Sequence, residues 1–196
     1  MILKRKIILA STSAYRAALL QRLGLAFECA HPETDETVLP GEKPIATALR
    51  LSIAKAENVA TRFPEALVIG ADQVADHAGN ALGKPGTRDA ARAQLQMMRG
   101  QALIFHSGLA LVNAATGRLQ SAVIDTTVRY RSYSDAEIEN YLARENALDC
   151  AGSAKSEGLG IALVAAMQSD DPSALIGLPL IALIDMLQNE QVDVLR

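Results

Sequence analysis

Short apolar runs alternate with segments of helical periodicity along this chain, and this alternation restricts its fold more than any other feature. The first run, Ile7 to Ala10, predicts a buried strand, and Leu19, Leu20 and Leu23 follow at helical spacing. Gly24 is placed to end that helix. A buried strand followed directly by a helix is the repeating unit of an α/β fold.

The alternation continues through the first half of the chain. Apolar residues recur at helical spacing from Ile45 to Phe63, Ala66 to Gly70 predicts a buried strand, and Ala71 to Thr87 is typical of a loop or hairpin. Thr87 is placed to cap a further helix, which Gly100 ends.

The second half contains the antiparallel part of the predicted sheet. From Ala102 to Tyr133 the residues alternate around a central turn, as two antiparallel strands would. Ser134 and Glu137 form a capping box for the next helix. Gly158 to Met167 predicts a last strand, and Pro179 can start the final helix. The expected fold is therefore α/β with a mixed sheet flanked by helices.

Length, charge and cysteine content narrow the class of protein. The 196 residues, 49% of them apolar, are enough for one packed domain over residues 1–196, and a net charge of −3 leaves no basic field for a long nucleic acid. The apolar runs are too short for a signal peptide or a membrane span. Cys29 and Cys150 are far apart, which argues against a disulfide framework or structural zinc and fits a reducing cytoplasm.

Polar side chains follow the first predicted strand where its helix begins. They are Ser11, Thr12, Ser13, Tyr15 and Arg16. A helix N-terminus is already partly positive, so a guanidinium in the first turn is unfavourable there unless an anion binds. Hydroxyls, free backbone donors and a guanidinium together suit a phosphate chain. The alternative is that Ser13 only caps the helix and that Arg16 is solvated.

Asp72 follows the predicted strand at Ala66 to Gly70, and a carboxylate there can bind a divalent cation or accept a proton from water. The alternative is an aspartate that caps a loop. Glu36, Lys55 and Lys84 supply a further carboxylate and two ammonium groups. Carboxylates for Mg²⁺ or Mn²⁺ and cations for phosphate charge are the ingredients of metal-assisted phosphoryl or nucleotidyl transfer.

Several blocks resemble the Maf family of nucleoside triphosphate pyrophosphatases, and together they cover the chain nearly end to end. In chain order they are "LASTSAYRAALLQRLGL", "DET", "AKAE", "GADQV", "LGKP", "CAGSAKSEGLGI" and "LIGLPL". The resemblance implies an elongated α/β fold similar to the inosine triphosphate pyrophosphatases, with two lobes around a cleft. It also implies a divalent metal, Mg²⁺ or Mn²⁺, and often a homodimer. The expected reaction is hydrolysis between the α- and β-phosphates of a small nucleotide.

The resemblance also assigns roles to individual residues. Asp72 matches the proposed proton acceptor of the family, and Glu36 with Asp72 is the expected pair of metal ligands. The polar residues of the family's cleft are matched by Ser13, Arg16, Glu36, Lys55 and Lys84.

Three positions match those that the family uses for base selection, namely Tyr15, Gln73 and Glu157. They resemble the 7-methyl-GTP branch, whereas the dTTP/UTP branch has Arg, Thr and Gln there. Methylation at N7 makes guanine cationic, so an aromatic ring gains a cation–π energy of roughly 0.5 to 2 kcal/mol. Glu157 can accept hydrogen bonds from N1–H and the exocyclic amine. The alternative is that Glu157 pairs with Lys155.

The chain departs from this branch at its first block, where Ala14 replaces the usual proline, Tyr15 the more frequent tryptophan, and Ala17 a second arginine. Two other functions therefore stay open beside hydrolysis of 7-methyl-GTP. One is a Maf-type pyrophosphatase that acts on dTTP, UTP or other nucleotides. The other is a nucleotide-sensing regulator, for instance of cell division, that binds without turnover.

Overall fold

The computed structural model describes residues 5–195, and these form a mixed sheet with helices packed against it. The strands are β1 Ile7–Ala10, β2 Phe27–Cys29, β3 Leu67–His77, β4 Asn80–Leu82, β5 Ala102–Asn113, β6 Arg118–Tyr130 and β7 Val164–Ser169. The α-helices are α1 Ala14–Gln21, α2 Pro44–Ala60, α3 Arg88–Met98, α4 Asp135–Arg144 and α5 Leu180–Asn189. Short 3-10 helices cover Ala151–Ser153, Leu159–Leu163 and Ala174–Ile176. No helix within residues 5–195 is long and apolar enough to cross a membrane.

The sheet has the strand order β2-β1-β3-β5-β6-β7, with β4 paired to β3 outside this path. Strand β1 is parallel to β2 and to β3, while β3, β5, β6 and β7 pair antiparallel. The prediction of an α/β fold with a mixed sheet is therefore confirmed.

A gap along one edge of β3 is the feature of the sheet that matters most for function. β1 pairs with β3 only as far as Gly70, and β4 pairs with it only from Ala75 onward. On that edge, no strand among residues 5–195 pairs with Ala71 to Val74, although β5 covers the opposite edge throughout. Side chains on both faces of β3 can therefore reach the same opening.

Two glycines allow α2 to pack unusually close to the sheet. A Cβ atom at Gly70 of β3 would lie 2.1 Å from the carbonyl oxygen of Ser52, and one at Gly108 of β5 would lie 2.2 Å from that of Ala48. Both distances are far below van der Waals contact, so only glycine fits at these points. Because Gly108 is the cross-strand partner of Asp72, this close packing brings α2 directly over that residue.

The apolar core lies at both ends of the long strands. At one end, α3 and α4 pack with β5 and β6. At the other end, α1 and α5 cover one face of β1, β3 and β5, while α2 covers the opposite face. The expected two lobes correspond to these two ends, and the gap beside β3 lies between them.

Most predicted helix boundaries are confirmed by their capping groups. Ser13 caps α1, Thr87 caps α3, and Ser134 with Glu137 forms the predicted capping box of α4. Gly24 and Gly100 follow α1 and α3 with φ of 67° and 69°, a conformation that favours glycine.

Two predicted segments are corrected by the structure. The strand at Ala66 to Gly70 does not end before Asp72 but continues as β3 to His77, because β5 pairs with it along that length. The strand predicted from Gly158 to Met167 begins only at Val164. Its first part is the 3-10 helix Leu159–Leu163, whose first N–H is bound by the Glu145 carboxylate at 3.0 Å.

Candidate active site

A cleft of about 710 Å³ opens at the gap beside β3, past the last residue of β1. Its wall includes nearly all the polar residues that the sequence singled out: Ser13, Tyr15, Arg16, Glu36, Lys55, Asp72, Gln73 and Lys84. Glu157 is the exception, because it lines an adjoining pocket. We call this cavity the charged cleft. It gathers residues from β1, α1, α2 and β3 that lie far apart in sequence.

Lys55 is the centre of the charged cleft. Its side chain, only 6% exposed, extends from α2 and places Nζ 2.6 Å from Asp72 Oδ1 and 2.8 Å from Glu36 Oε1. Asp72 is also buried, whereas Glu36 is 60% exposed. One ammonium therefore joins a buried carboxylate on the sheet to an accessible carboxylate on a loop.

The two carboxyl groups have pKa values shifted in opposite directions. Burial raises the pKa of Asp72, and the nearby charges of Lys55 and Arg16 offset this only in part. Burial also acts to raise the pKa of Glu36, but the hydrogen bond and charge of Lys55, with Lys84 and Arg16, lower it overall. Asp72 is thus more basic than an ordinary aspartate, whereas Glu36 is less basic than an ordinary glutamate.

Arg16 is partly buried and tied to the C-terminal part of the chain. Its Nε donates to the carbonyl of Gly177 at 2.9 Å, and its Nη1 donates to Ser11 Oγ at 3.4 Å. Burial lowers its pKa, while Asp72 and Glu36 act to raise it. Ser13 does cap α1, but the alternative of a solvated Arg16 is wrong, because the guanidinium is bonded to Gly177 and Ser11 and its pKa is affected by the charges of Asp72 and Glu36.

The loop that carries Glu36 is held against α2 by a second ion pair. Arg50 donates to both carboxylate oxygens of Glu42, at 2.6 and 2.7 Å, and to the carbonyl of Thr37 at 3.1 Å. These hydrogen bonds hold the pKa of Glu42 down at about 2. Glu36, which precedes Thr37, is therefore positioned by contacts outside the charged cleft.

A second cavity of about 190 Å³ adjoins the charged cleft on the other face of β3. One part of its wall is apolar and includes Phe105, Val128, Tyr130, Val164 and Ile176. Glu157 and Lys155 add charge to the wall. We call this cavity the side pocket. It can hold a flat apolar group whose edge carries polar atoms.

Gln73 lies between the two cavities and is already bonded. Its amide nitrogen donates to Ser107 Oγ at 3.1 Å and to the carbonyls of Ala174 and Leu175 at 3.0 and 2.9 Å. These bonds connect β3 and β5 to the 3-10 helix at Ala174–Ile176. The nitrogen is thus used within the protein, and the amide oxygen is the atom left for a ligand.

Lys155 and Asp149 are site residues that the sequence reasoning missed. Lys155 Nζ lies 2.8 Å from Asp149 Oδ1 and 5.7 Å from the centre of the Tyr15 ring. Burial acts to lower the pKa of Lys155, but hydrogen bonding to Asp149 and Tyr15 raises it overall. The alternative that Glu157 pairs with Lys155 is therefore wrong. No sequence signal pointed to this pair, because the intervening 3-10 turn at Ala151–Ser153 brings the residues together.

The residues of the charged cleft fit a divalent cation only with help from a ligand. Within residues 5–195, no three His, Cys, Asp or Glu side chains cluster closely enough to bind a metal alone. Asp72 and Glu36 are nevertheless bridged by a single ammonium, so they lie close together. Mg²⁺ is commonly bound by one or two carboxylates together with substrate phosphate oxygens. The donor set therefore suits a site that phosphate completes.

Comparisons with known proteins assign this chain to a family. A family model described as Maf-like protein matches residues 6–190. A protein of Methylobacillus flagellatus named 7-methyl-GTP pyrophosphatase is 57% identical over 96% of this chain and 98% of its own. A protein of Aromatoleum aromaticum with the same name is 56% identical over 94% of this chain and 95% of its own.

Among solved structures, the Staphylococcus aureus Ham1 protein is similar in fold. The TM-score is 0.55 at 13% identity, and the match covers 95% of this chain and all of the other. At this identity the similarity concerns the fold alone.

Proposed function

This chain belongs to the Maf family, and on that premise we propose that it is a nucleoside triphosphate pyrophosphatase that converts 7-methyl-GTP to 7-methyl-GMP and pyrophosphate. The observation that carries the proposal is the charged cleft, where Asp72, Lys55 and Glu36 are in contact and Arg16 and Lys84 line the same wall. Relatives more than 50% identical over nearly full length bear the name of this activity.

The chemistry follows from the charges in the cleft. Asp72 accepts a proton from a water molecule while the water oxygen attacks the α-phosphorus. The bond from that phosphorus to the α–β bridging oxygen breaks, and pyrophosphate leaves with the bridging oxygen. Arg16, Lys55 and Lys84 balance the negative charge of the triphosphate. The raised pKa of Asp72 supports this role, since it makes the carboxylate a better base.

Asp72 and Glu36 would hold the divalent cation, Mg²⁺ or Mn²⁺, together with phosphate oxygens. When bound, the cation would neutralise charge on the phosphates during attack. Without the cation, Lys55 Nζ contacts both carboxylates and acts to lower the pKa of each.

In this proposal the base of the nucleotide binds in the side pocket. The 7-methylguanine ring would lie against the apolar wall with Tyr15 at the opening, since that residue lines both cavities and is 42% exposed. Glu157 would accept from the N1–H and amine edge, because it has no ion-pair partner within residues 5–195. Gln73 would offer its amide oxygen.

A pyrophosphate-release assay over a panel of nucleotides with Mg²⁺ or Mn²⁺ tests the proposal. We expect 7-methyl-GTP to have the highest kcat/KM and to yield 7-methyl-GMP with pyrophosphate. A preference for dTTP or UTP would place the protein in the pyrimidine branch instead. Tight binding without hydrolysis of any nucleotide would favour the nucleotide-sensing regulator.

We further propose that the protein acts in a reducing compartment such as the cytoplasm and forms a homodimer. Both cysteines are free, which supports the first point. The second point is an expectation from the family, and light scattering of the purified protein checks it.

A further inference from the structure

The residues shared by the charged cleft and the side pocket surround the place where the sugar of a bound nucleotide must lie. Both cavities are lined by Ser13, Tyr15, Arg16, Gln73, Lys84, Asp149 and Ala151. With phosphates in the charged cleft and the base in the side pocket, the ribose that joins them passes this junction. This step rests on the proposed function.

Asp149 is the one carboxylate among these shared lining residues within the described part of the chain. Its hydrogen bond from Lys155 lowers its pKa, with burial opposing, so the group is ionised at neutral pH and can only accept hydrogen bonds. An anion at this point repels phosphate, whereas sugar hydroxyls are donors that need acceptors. Ribose hydroxyls are bound by Asp or Glu in other nucleotide-binding folds for the same reason.

The other shared side chains are less suited to this task. Ser13 Oγ accepts a hydrogen bond from the backbone N–H of Arg16 as the cap of α1. The amide nitrogen of Gln73 donates to the carbonyls of Ala174 and Leu175. Arg16 and Lys84 are cations. Asp149 is therefore the strongest hydrogen-bond acceptor at the junction.

Asp149 is held by a buried and well-anchored partner. Lys155 has a side chain only 9% exposed, whereas that of Asp149 is 59% exposed, so the carboxylate is the accessible member of the pair. The Lys155 N–H donates to the Tyr141 hydroxyl at 3.1 Å, and the Lys155 carbonyl accepts the N–H of Gly158. A Cβ at Gly160 would lie 2.5 Å from that carbonyl, so the backbone of Lys155 is packed tightly from behind.

We propose that Asp149 binds the ribose hydroxyls of the nucleotide and that Lys155 is the residue that positions it. The carboxylate accepts hydrogen bonds from the 2′- and 3′-hydroxyls and thereby favours ribonucleotides. Loss of a hydrogen bond to a charged group weakens binding by about 10- to 100-fold.

The test is a cycle that combines enzyme variants with substrate analogues. The ratio of kcat/KM for 7-methyl-GTP to that for its 2′-deoxy and 3′-deoxy analogues is measured in the wild type, in Asp149→Asn and in Asp170→Asn. Asp170 is exposed and lines neither cavity. We expect a ratio of about 10 or more for at least one analogue in the wild type and in Asp170→Asn, and a clearly lower ratio in Asp149→Asn, because a neutral amide oxygen is a weaker acceptor than a carboxylate.

A wild-type ratio near 1 for both analogues, or an unchanged ratio in Asp149→Asn, overturns the proposal. The same ratios are measured for binding of the nucleoside monophosphates by calorimetry, which needs no turnover. A wild type that binds the monophosphates with the expected ratio but releases no pyrophosphate contradicts the proposed function and leaves sugar recognition standing.

Lys155→Met tests the positioning role separately. The ratio falls toward 1 if Lys155 holds the carboxylate in place, although residue 149 is still aspartate. An unchanged ratio in this variant removes Lys155 from the proposal.

Discussion

Burial and the neighbouring cations shift the pKa of Asp72 in opposite directions. Burial is the larger influence, so the pKa of the carboxyl lies above its ordinary value of 3.8 even with Lys55 at 2.6 Å. A base of this kind is effective only when ionised. The pH dependence of turnover should therefore report on this residue.

We expect kcat/KM for 7-methyl-GTP to fall on the acid side as the pH drops through the raised pKa of Asp72. Protonation there removes the acceptor for the water proton. A pH–rate profile of the wild type measures this. An acid limb at or below pH 3.8 would contradict the assignment.

Asp72→Asn should lower kcat by about 10²- to 10⁴-fold, the usual contribution of a general base. The amide has the same shape and leaves Lys55 its bond to Glu36, so the fold should persist. Circular dichroism checks the fold and steady-state kinetics the rate. Full activity in this variant would show that another group accepts the proton.

Glu157→Gln should shift substrate preference away from 7-methyl-GTP. Glutamine offers one donor and one acceptor in place of two acceptors, so one hydrogen bond to the base edge is lost and kcat/KM falls by about 10-fold or more. The nucleotide panel measures the change. An unaltered ranking of nucleotides would remove Glu157 from base recognition.

Helix α2 and the loop that precedes it place Lys55 and Glu36, although most of their anchoring contacts lie outside the cleft. The close approach of α2 depends on Gly70 and Gly108, and the loop depends on the Glu42–Arg50 pair. Substitutions at these points should therefore affect activity indirectly.

Gly70→Ala should destabilise the protein by about 1 to 3 kcal/mol or more and lower its activity as well. The added methyl group meets the Ser52 carbonyl, so α2 must move away from the sheet and take Lys55 with it. Denaturant unfolding measures the change. Gly83→Ala is the control for stability, because a Cβ there meets nothing within 4 Å.

Glu42→Gln should reduce kcat/KM by about 10- to 100-fold, because the loop that carries Glu36 is no longer fixed. Since the pKa of Glu42 is lowered to about 2 from 4.5, its ionised form stabilises the protein fully above pH 4.5. That contribution is lost as the pH falls toward 2. The Tm difference between wild type and variant should therefore shrink on acidification.

The exposed Glu57 on α2 is the matched control for this substitution. Glu57→Gln should leave both kcat/KM and Tm unchanged. Equal losses in the two variants would mean that the effect comes from the loss of a negative charge and not from release of the loop.

At the scale of the whole molecule, β3, β5 and β6 run through both lobes. The apolar clusters at the two ends of the sheet share β3 and β5. Separation of the lobes would break the longest strands of the sheet, which is costly because their backbone hydrogen bonds would be lost. A single domain over residues 1–196 remains the prediction.

We expect thermal unfolding in one cooperative transition, with equal calorimetric and van't Hoff enthalpies. Scanning calorimetry measures this. Two resolved transitions would show that the lobes unfold separately.

Saturating 7-methyl-GTP should raise the Tm of Asp72→Asn, because a ligand at about 100 times its Kd stabilises the folded state by about 2.7 kcal/mol. Scanning calorimetry of the variant with and without the nucleotide measures the shift.

The features that could be predicted from sequence alone depend on short-range interactions. Helix caps such as Ser13, the Ser134–Glu137 capping box and the glycine after α3 act within four residues, so they are visible in sequence. The alternating hydrophobicity of β5 and β6 likewise predicted the antiparallel hairpin and the mixed sheet. The Maf resemblance named the cleft residues, and the structure brings Lys55, Asp72 and Glu36 into contact.

The remaining features depend on strand pairing and on contacts between segments that are distant in sequence. Asp72 faces the cleft because β1 ends two residues before the position opposite it, not because β3 itself ends there. The first part of the predicted last strand became a 3-10 helix because Glu145 and the backbone of Lys155 constrain it. The Asp149–Lys155 pair depends on the same packing. Such contacts join distant segments, so they exist only once the chain has folded.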